Sequence, residues 1–119
     1  MSYIWSVSID QILSCGYWLG NIGVKNWALD RQAVLDVLSQ FEQAGIAVLG
    51  GDVYVKQGEN IQPTYDNWYC ERTLNETFAA FVSRSVQISR EYIVRYSSNR
   101  SDILFVLVPQ GAQARNSPQ

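Results

Sequence analysis

Apolar positions recur along this chain with more than one period, and each period predicts an element. In "RQAVLDVLSQFEQAG", Val34, Val37, Leu38, Phe41 and Ala44 fall on one helical stripe. Asp30 stands where an N-terminal cap is wanted and Gly45 where a left-handed C-terminal cap is wanted, so a helix over 31–44 is predicted. A second stripe, running through Leu74, Phe78, Phe81, Val82, Ser85, Ser89, Tyr92, Ile93 and Tyr96, predicts a longer helix over about 74–96. Thr73 and Glu76 have capping-box spacing at its start, and Glu91 and Arg95 stand four apart on its exposed side.

Between these helices the period changes to two. "IAVL", the pair Gly50 and Gly51, and "DVYVK" read as an apolar strand, a two-glycine turn and an alternating strand. One longer strand with a bulge at the glycines is the alternative; the hairpin is the preferred reading. The next stretch, "QGENIQPTYDNWYCER", has Gly, Pro, Asn and Asp spaced as loop punctuation, yet it holds Tyr65, Trp68 and Tyr69, which must pack on something or bind something.

The ends are plainer. A short apolar segment near 3–7 leads into a brief helix with Ser8 or Asp10 as its cap and a stop at Gly16, and "GYWLGNIGVKNW" reads as a packed loop. After "SSNRSD", the apolar run "ILFVLV" predicts a strand buried on both faces. The order of elements gives an α+β fold: a small, mostly antiparallel sheet, made of the hairpin and the C-terminal strand, covered on one side by two main helices. We expect one domain over 1–108 and a flexible tail over 109–119, where "PQGAQARNSPQ" has no apolar period.

Composition narrows the classes. An apolar fraction of 47% and an aromatic fraction of 13% suit a chain that folds unaided. No apolar run approaches the roughly 18 residues needed to cross a bilayer, and "MSYIWSVSIDQIL" lacks the basic start and long apolar middle of a secretory signal, so a cytoplasmic protein without a membrane partner is expected. Cys15 and Cys70 have no metal-site spacing and are expected to be two free, mostly buried thiols.

The net charge of −2 is small and of the wrong sign for a general nucleic-acid binder, but its distribution is uneven. Between Glu42 and Glu76 six acids (Glu42, Asp52, Glu59, Asp66, Glu71, Glu76) face only Lys56 and Arg72, whereas from Thr77 onward five arginines face Glu91 and Asp102. Either these are the solvated faces of ordinary elements or the stretch around 45–71 is an acidic recognition surface.

Histidine is absent, which removes the usual general base, the usual activator of a nucleophile and the commonest transition-metal ligand. Neither the Walker pattern nor a dinucleotide fingerprint is present. What chemistry remains is carboxylate work by a pair such as Asp52 and Asp66, or a divalent-cation site built from those with Glu71. We expect no catalysis, no cofactor and no metal, with that carboxylate or metal enzyme as one alternative and a general adaptor or homo-oligomer subunit as another.

With "GIAVLGGDVYV", "YDNWYCE" and a long helix ending "EYIVRY" in view, the sequence resembles the immunity protein 40 family of bacterial polymorphic toxin systems, over roughly residues 15–108. The resemblance implies an α+β protein encoded beside a toxin gene, which binds the cognate toxin domain and protects the cell that makes it. It also implies that Gly50, Gly51 and Asp52 form the turn fixing the strand pair, and that Asp66, Trp68, Tyr69 and Glu71 belong to an acidic and aromatic loop. Whether these motif residues are structural or face the toxin stays open.

Aromatic anchors ringed by acids suit the same idea, because such residues make hot spots and speed association with a basic partner such as a toxin nuclease. The expected toxin-binding residues are Asp52, Tyr54, Glu59, Tyr65, Asp66, Trp68, Tyr69 and Glu71, with Tyr65, Trp68 and Tyr69 giving contact area and the acids pairing with toxin Lys or Arg. The expected partner is the toxin domain alone, bound by a monomer or homodimer, and no nucleic acid.

Overall fold

The computed structural model describes residues 2–97 and 102–111. The chain runs α1 (Val7–Leu13), β1 (Tyr17–Trp18), a 3-10 turn (Gly20–Ile22), β2 (Trp27–Ala28), α2 (Arg31–Ala44), β3 (Ala47–Gln57), β4 (Asn60–Tyr69), α3 (Phe78–Arg95) and β5 (Ile103–Gln110). Strands β4, β3 and β5 form an antiparallel sheet in that spatial order, and β1 and β2 form a two-stranded ribbon. This is the α+β architecture expected from the order of elements.

Local chemistry sets α2. Asp30 is extended and its carboxylate accepts the Ala33 N–H at 2.8 Å; Val34, Val37, Leu38 and Phe41 form its buried face; Gly45, at φ 73°, ends it. For α3 the cap is Thr77, whose hydroxyl accepts the Ala80 N–H, so the helix starts four residues later than the stripe suggests. The Thr73 and Glu76 pair closes a separate turn in front of it. Ser6, rather than Ser8 or Asp10, caps α1, while the Asp10 carboxylate accepts the Ile4 and Trp5 N–H groups.

The preferred hairpin at Gly50 and Gly51 is corrected: β3 is one continuous strand through both glycines, and the reversal comes at Gly58, with φ 63°. The supposed loop after it is strand β4, which tolerates Pro63 because it lies at the sheet edge. The glycines answer a tertiary demand. A Cβ on Gly50 would lie 2.3 Å from the Trp68 carbonyl oxygen, and one on Gly51 would lie 2.3 Å from the Trp68 ring and 2.5 Å from the Val106 carbonyl oxygen.

One sheet face carries the main core. Val53, Trp68, Phe105 and Leu107 pack there with Val34, Val37, Phe41, Phe81 and Ile93 from α2 and α3. Arg31, at the start of α2, donates to the carbonyls of Ile93 and Tyr96 and so satisfies the end of α3. The other face is partly covered by the segment around the β1–β2 ribbon, where Leu19 and Ala28 pack on Tyr54, Leu104 and Val106.

That segment also closes one edge of the sheet. Leu29 exchanges two backbone hydrogen bonds with Phe105, at 2.8 and 2.7 Å, and Asn26 donates to the Leu107 carbonyl at 2.8 Å. Strand β5 is thus flanked on both sides, while β4 keeps its outer edge. Pro109 and Gln110 pair with Val48 and Ala47, so the expected tail from 109 gives its first two residues to the sheet. Residues 112–119 of that tail lie outside the described residues. Cys70 is buried and Cys15 exposed, against the expectation of two mostly buried thiols, and both are free.

Candidate functional site

Strand β4 carries four of the eight residues that the sequence singles out, Tyr65, Asp66, Trp68 and Tyr69, and its irregular register decides which way they point. Asp52 pairs with Asn67 and Tyr54 with Pro63, so β3 passes Val53 while β4 passes Thr64, Tyr65 and Asp66. Within this bulge the Thr64 hydroxyl donates to the Val53 carbonyl at 2.9 Å and accepts the Asp66 N–H at 3.2 Å. Tyr65 is left at φ 75°, a conformation that L-residues with bulky side chains rarely adopt. Its side chain is 83% exposed.

Trp68 marks the helix-covered face. It is 8% exposed, its ring stacks on Tyr92 with centroids 4.6 Å apart, and its Nε1 donates to Ser89 Oγ at 3.0 Å. The expectation that Trp68 gives contact area to a partner is therefore corrected, because its faces are taken by Gly51 and Tyr92. Alternation turns its neighbours Asn67 and Tyr69 to the opposite face, where Tyr69 is 75% exposed.

Tyr54 is also an interior residue, 8% exposed among Leu19, Leu104 and Val106. Burial pushes its phenol above the usual range, and the charges of Asp52 and Tyr65 add to the shift. Asp52 is half-buried, and desolvation raises its carboxyl.

The remaining acids spread along the strand. Asp66 accepts the Tyr96 hydroxyl at 2.6 Å, tying the bulge to the end of α3. That bond, and then burial, raises the Tyr96 phenol; burial, and then the Asp66 charge, raises that of Tyr92. Glu59 sits in the β3–β4 turn beside a cleft of about 450 Å³ walled by Tyr17, Trp18 and Ile22. Glu71 follows β4, exposed, and its carbonyl accepts from Arg84 at 2.6 Å.

Asp52 and Asp66, the pair that carboxylate chemistry would use, are turned to different sides of the sheet: Asp52 lies opposite Asn67, on the face away from Trp68, and Asp66 reaches Tyr96 at the end of α3. Among the described residues no three His, Cys, Asp or Glu side chains are grouped as a cation site. No helix there is long and apolar enough to cross a membrane.

Three groups escaped the sequence reading. Ser85 and Ser89, placed on the buried stripe, serve as polar partners: Ser85 accepts the Val48 N–H at 2.9 Å, and Ser89 takes the indole of Trp68. A serine on an apolar stripe was the available signal. Arg84 donates to both Glu76 carboxylate oxygens at 2.7 Å, which joins α3 to the turn that precedes it. Leu74, read as part of the helix stripe, stands exposed in that turn.

No curated protein and no solved structure matches the chain. A family model does, and its match runs over residues 18–109, from Trp18 in β1 to Pro109 in β5. It spans the Gly-Gly-Asp segment, the Asn-Trp-Tyr segment it seats and the long helix that stacks on Trp68, the same features that carried the resemblance. The chain belongs to the family described as Immunity protein 40.

Proposed function

We propose that this protein neutralises a cognate toxin domain by covering it with the exposed side of β4. Tyr65 and Tyr69 supply the contact area, and Asp52, Glu59, Asp66 and Glu71 pair with Lys or Arg of the toxin. Trp68 and Tyr54 act from behind, holding the strand against α3 and the sheet. The reading requires no cofactor and no chemistry from this chain, and it places the protein in the cytoplasm, where a toxin would meet it before its target.

The observation that carries the reading is Tyr65, a tyrosine held out of the sheet in a left-handed conformation. Such strain costs on the order of 1–3 kcal/mol and persists where the surrounding structure imposes it, often at functional positions. Charge supports it as well: from Asn60 to Glu71 the chain has two acids and no basic residue. A nucleic-acid-cutting toxin must be basic to grip phosphates, and a segment with acids and no basic residue is complementary to such a surface.

The test is co-expression of the chain with the toxin domain encoded beside it. The wild-type chain is expected to restore growth and Tyr65→Ala to lose that protection while keeping its melting temperature. Protection undiminished in Tyr65→Ala combined with Tyr69→Ala would remove β4 from the mechanism.

A further inference from the structure

Leu74, 91% exposed, is the most exposed large apolar side chain among the described residues. It stands at the tip of a turn that is tied at each step. The Thr73 N–H and hydroxyl both donate to Glu76 Oε1, at 2.9 and 3.2 Å, and the Glu76 N–H returns to the Thr73 carbonyl at 3.1 Å. Arg84 holds both oxygens of that carboxylate and also the Glu71 carbonyl. Asn75, at φ 72°, makes the left-handed step that turns the chain, a conformation asparagine tolerates.

None of this bracing buries Leu74. An unbraced loop could fold an apolar side chain back onto the protein; this one holds it away from every packing partner. Order imposed before binding lowers the entropy cost of association, and a rigid aliphatic anchor is what an interface pocket takes up.

The turn follows β4 in sequence, after the exposed Tyr69, the buried Cys70 and the exposed Glu71. Two acids, Glu71 and Glu76, and two cations, Arg72 and Arg84, belong to it and its bracing, and Arg84 is taken up by the Glu76 carboxylate. Arg72 is taken up by the turn as well, with its Nε donating to the Glu76 carbonyl at 2.9 Å and its guanidinium over the Phe78 ring at 5.7 Å.

We infer that residues 72–76 form a preorganised knob, and that Leu74 inserts into an apolar pocket on the toxin domain. The inference rests on the immunity reading and extends it to a segment outside the Gly-Gly-Asp and Asn-Trp-Tyr motifs.

Two measurements test it. Backbone ¹⁵N relaxation of the free protein is expected to show residues 72–76 as ordered as α3; a mobile turn would overturn the inference without any partner. Titration calorimetry with the purified toxin domain encoded beside the chain is expected to give at least about tenfold weaker binding for Leu74→Ala, with an unchanged melting temperature. Glu76→Gln, which keeps the leucine and loosens its support, is expected to weaken binding severalfold. If Leu74→Ala binds like wild type while Tyr65→Ala does not, the knob is excluded and the immunity reading stands. If the wild-type chain does not bind that domain, the immunity reading fails and the knob with it.

Discussion

Gly51 and Trp68 face each other across β3 and β4, and the indole occupies the space that a side chain on Gly51 would fill: a Cβ there would lie 2.3 Å from ring atom Cη2. The same Cβ would lie 2.5 Å from the Val106 carbonyl oxygen, so the central strand is crowded on both flanks. Two motif segments separated in the sequence are one packing unit.

Gly51→Ala is therefore expected to destabilise the protein by about 2–3 kcal/mol, since neither the Val106 backbone nor the wedged indole can move freely. Urea denaturation checks this, with the midpoint falling and the slope unchanged. A loss under about 0.5 kcal/mol would mean that the strands shift easily and that Trp68 is loosely seated.

Much of the fold could be read because its signals are local. Asp30, the stripe from Val34 to Phe41 and Gly45 all act within α2, so its limits came out as expected. The glycine pair could not be assigned in this way, because a hairpin turn and a seat for an indole ask for the same missing Cβ. Strand β4 was hidden for a related reason: three of its residues oppose one of β3, which erases the alternation a strand reading needs. The candidate site was legible as a segment but not as a surface. Whether Trp68 faced in or out depended on Ser89 and Tyr92, far along the chain.

Tyr65→Gly separates strain from packing. Relief of the left-handed conformation contributes about 1–2 kcal/mol, and the extra chain entropy of glycine offsets about 0.5–1 of it. Stability is expected to hold or rise slightly while toxin affinity falls, a combination that partial unfolding cannot produce. A melting temperature lowered by several degrees would instead make Tyr65 a packed residue.

Acid should loosen the turn beneath Leu74. The Arg84 guanidinium, followed by the Thr73 backbone, holds the Glu76 carboxyl at about 2, below its ordinary 4.5. A carboxyl depressed in the folded state adds stability above its unfolded value, and that stability is lost as pH falls from about 4.5 toward 2. Denaturation midpoints measured across this range should fall less steeply for Glu76→Gln than for wild type. Parallel slopes would show that the pair with Arg84 adds nothing to folding.

Base should act at the other end of α3. The Tyr96 phenol is raised chiefly by its bond to Asp66, so folding favours the protonated form. Its contribution is complete below the unfolded value near 10 and is lost as pH rises through the higher folded value. Tyr96→Phe, which removes the titrating group, is expected to flatten the alkaline limb of the stability profile. An unchanged limb would assign it to other tyrosines or to the lysines.

Steering by charge can be tested at Glu59 and Glu71 without disturbing the bulge. Asp66 is a poor choice alone, because its carboxylate also holds Tyr96. At Glu71 it is the backbone carbonyl that Arg84 grips, and a substitution leaves that bond in place. Glu59→Lys combined with Glu71→Lys should keep the melting temperature and slow association with the toxin domain by about tenfold at low salt. Added salt shortens the Debye length to about 10 Å at 0.1 M, so the two association rates should converge as ionic strength rises. Dissociation should change less, since exposed charges steer approach more than they hold a formed complex. Equal association rates at low salt would confine recognition to Tyr65, Tyr69 and the turn at Leu74, and the two glutamates flanking β4 would then serve solubility alone.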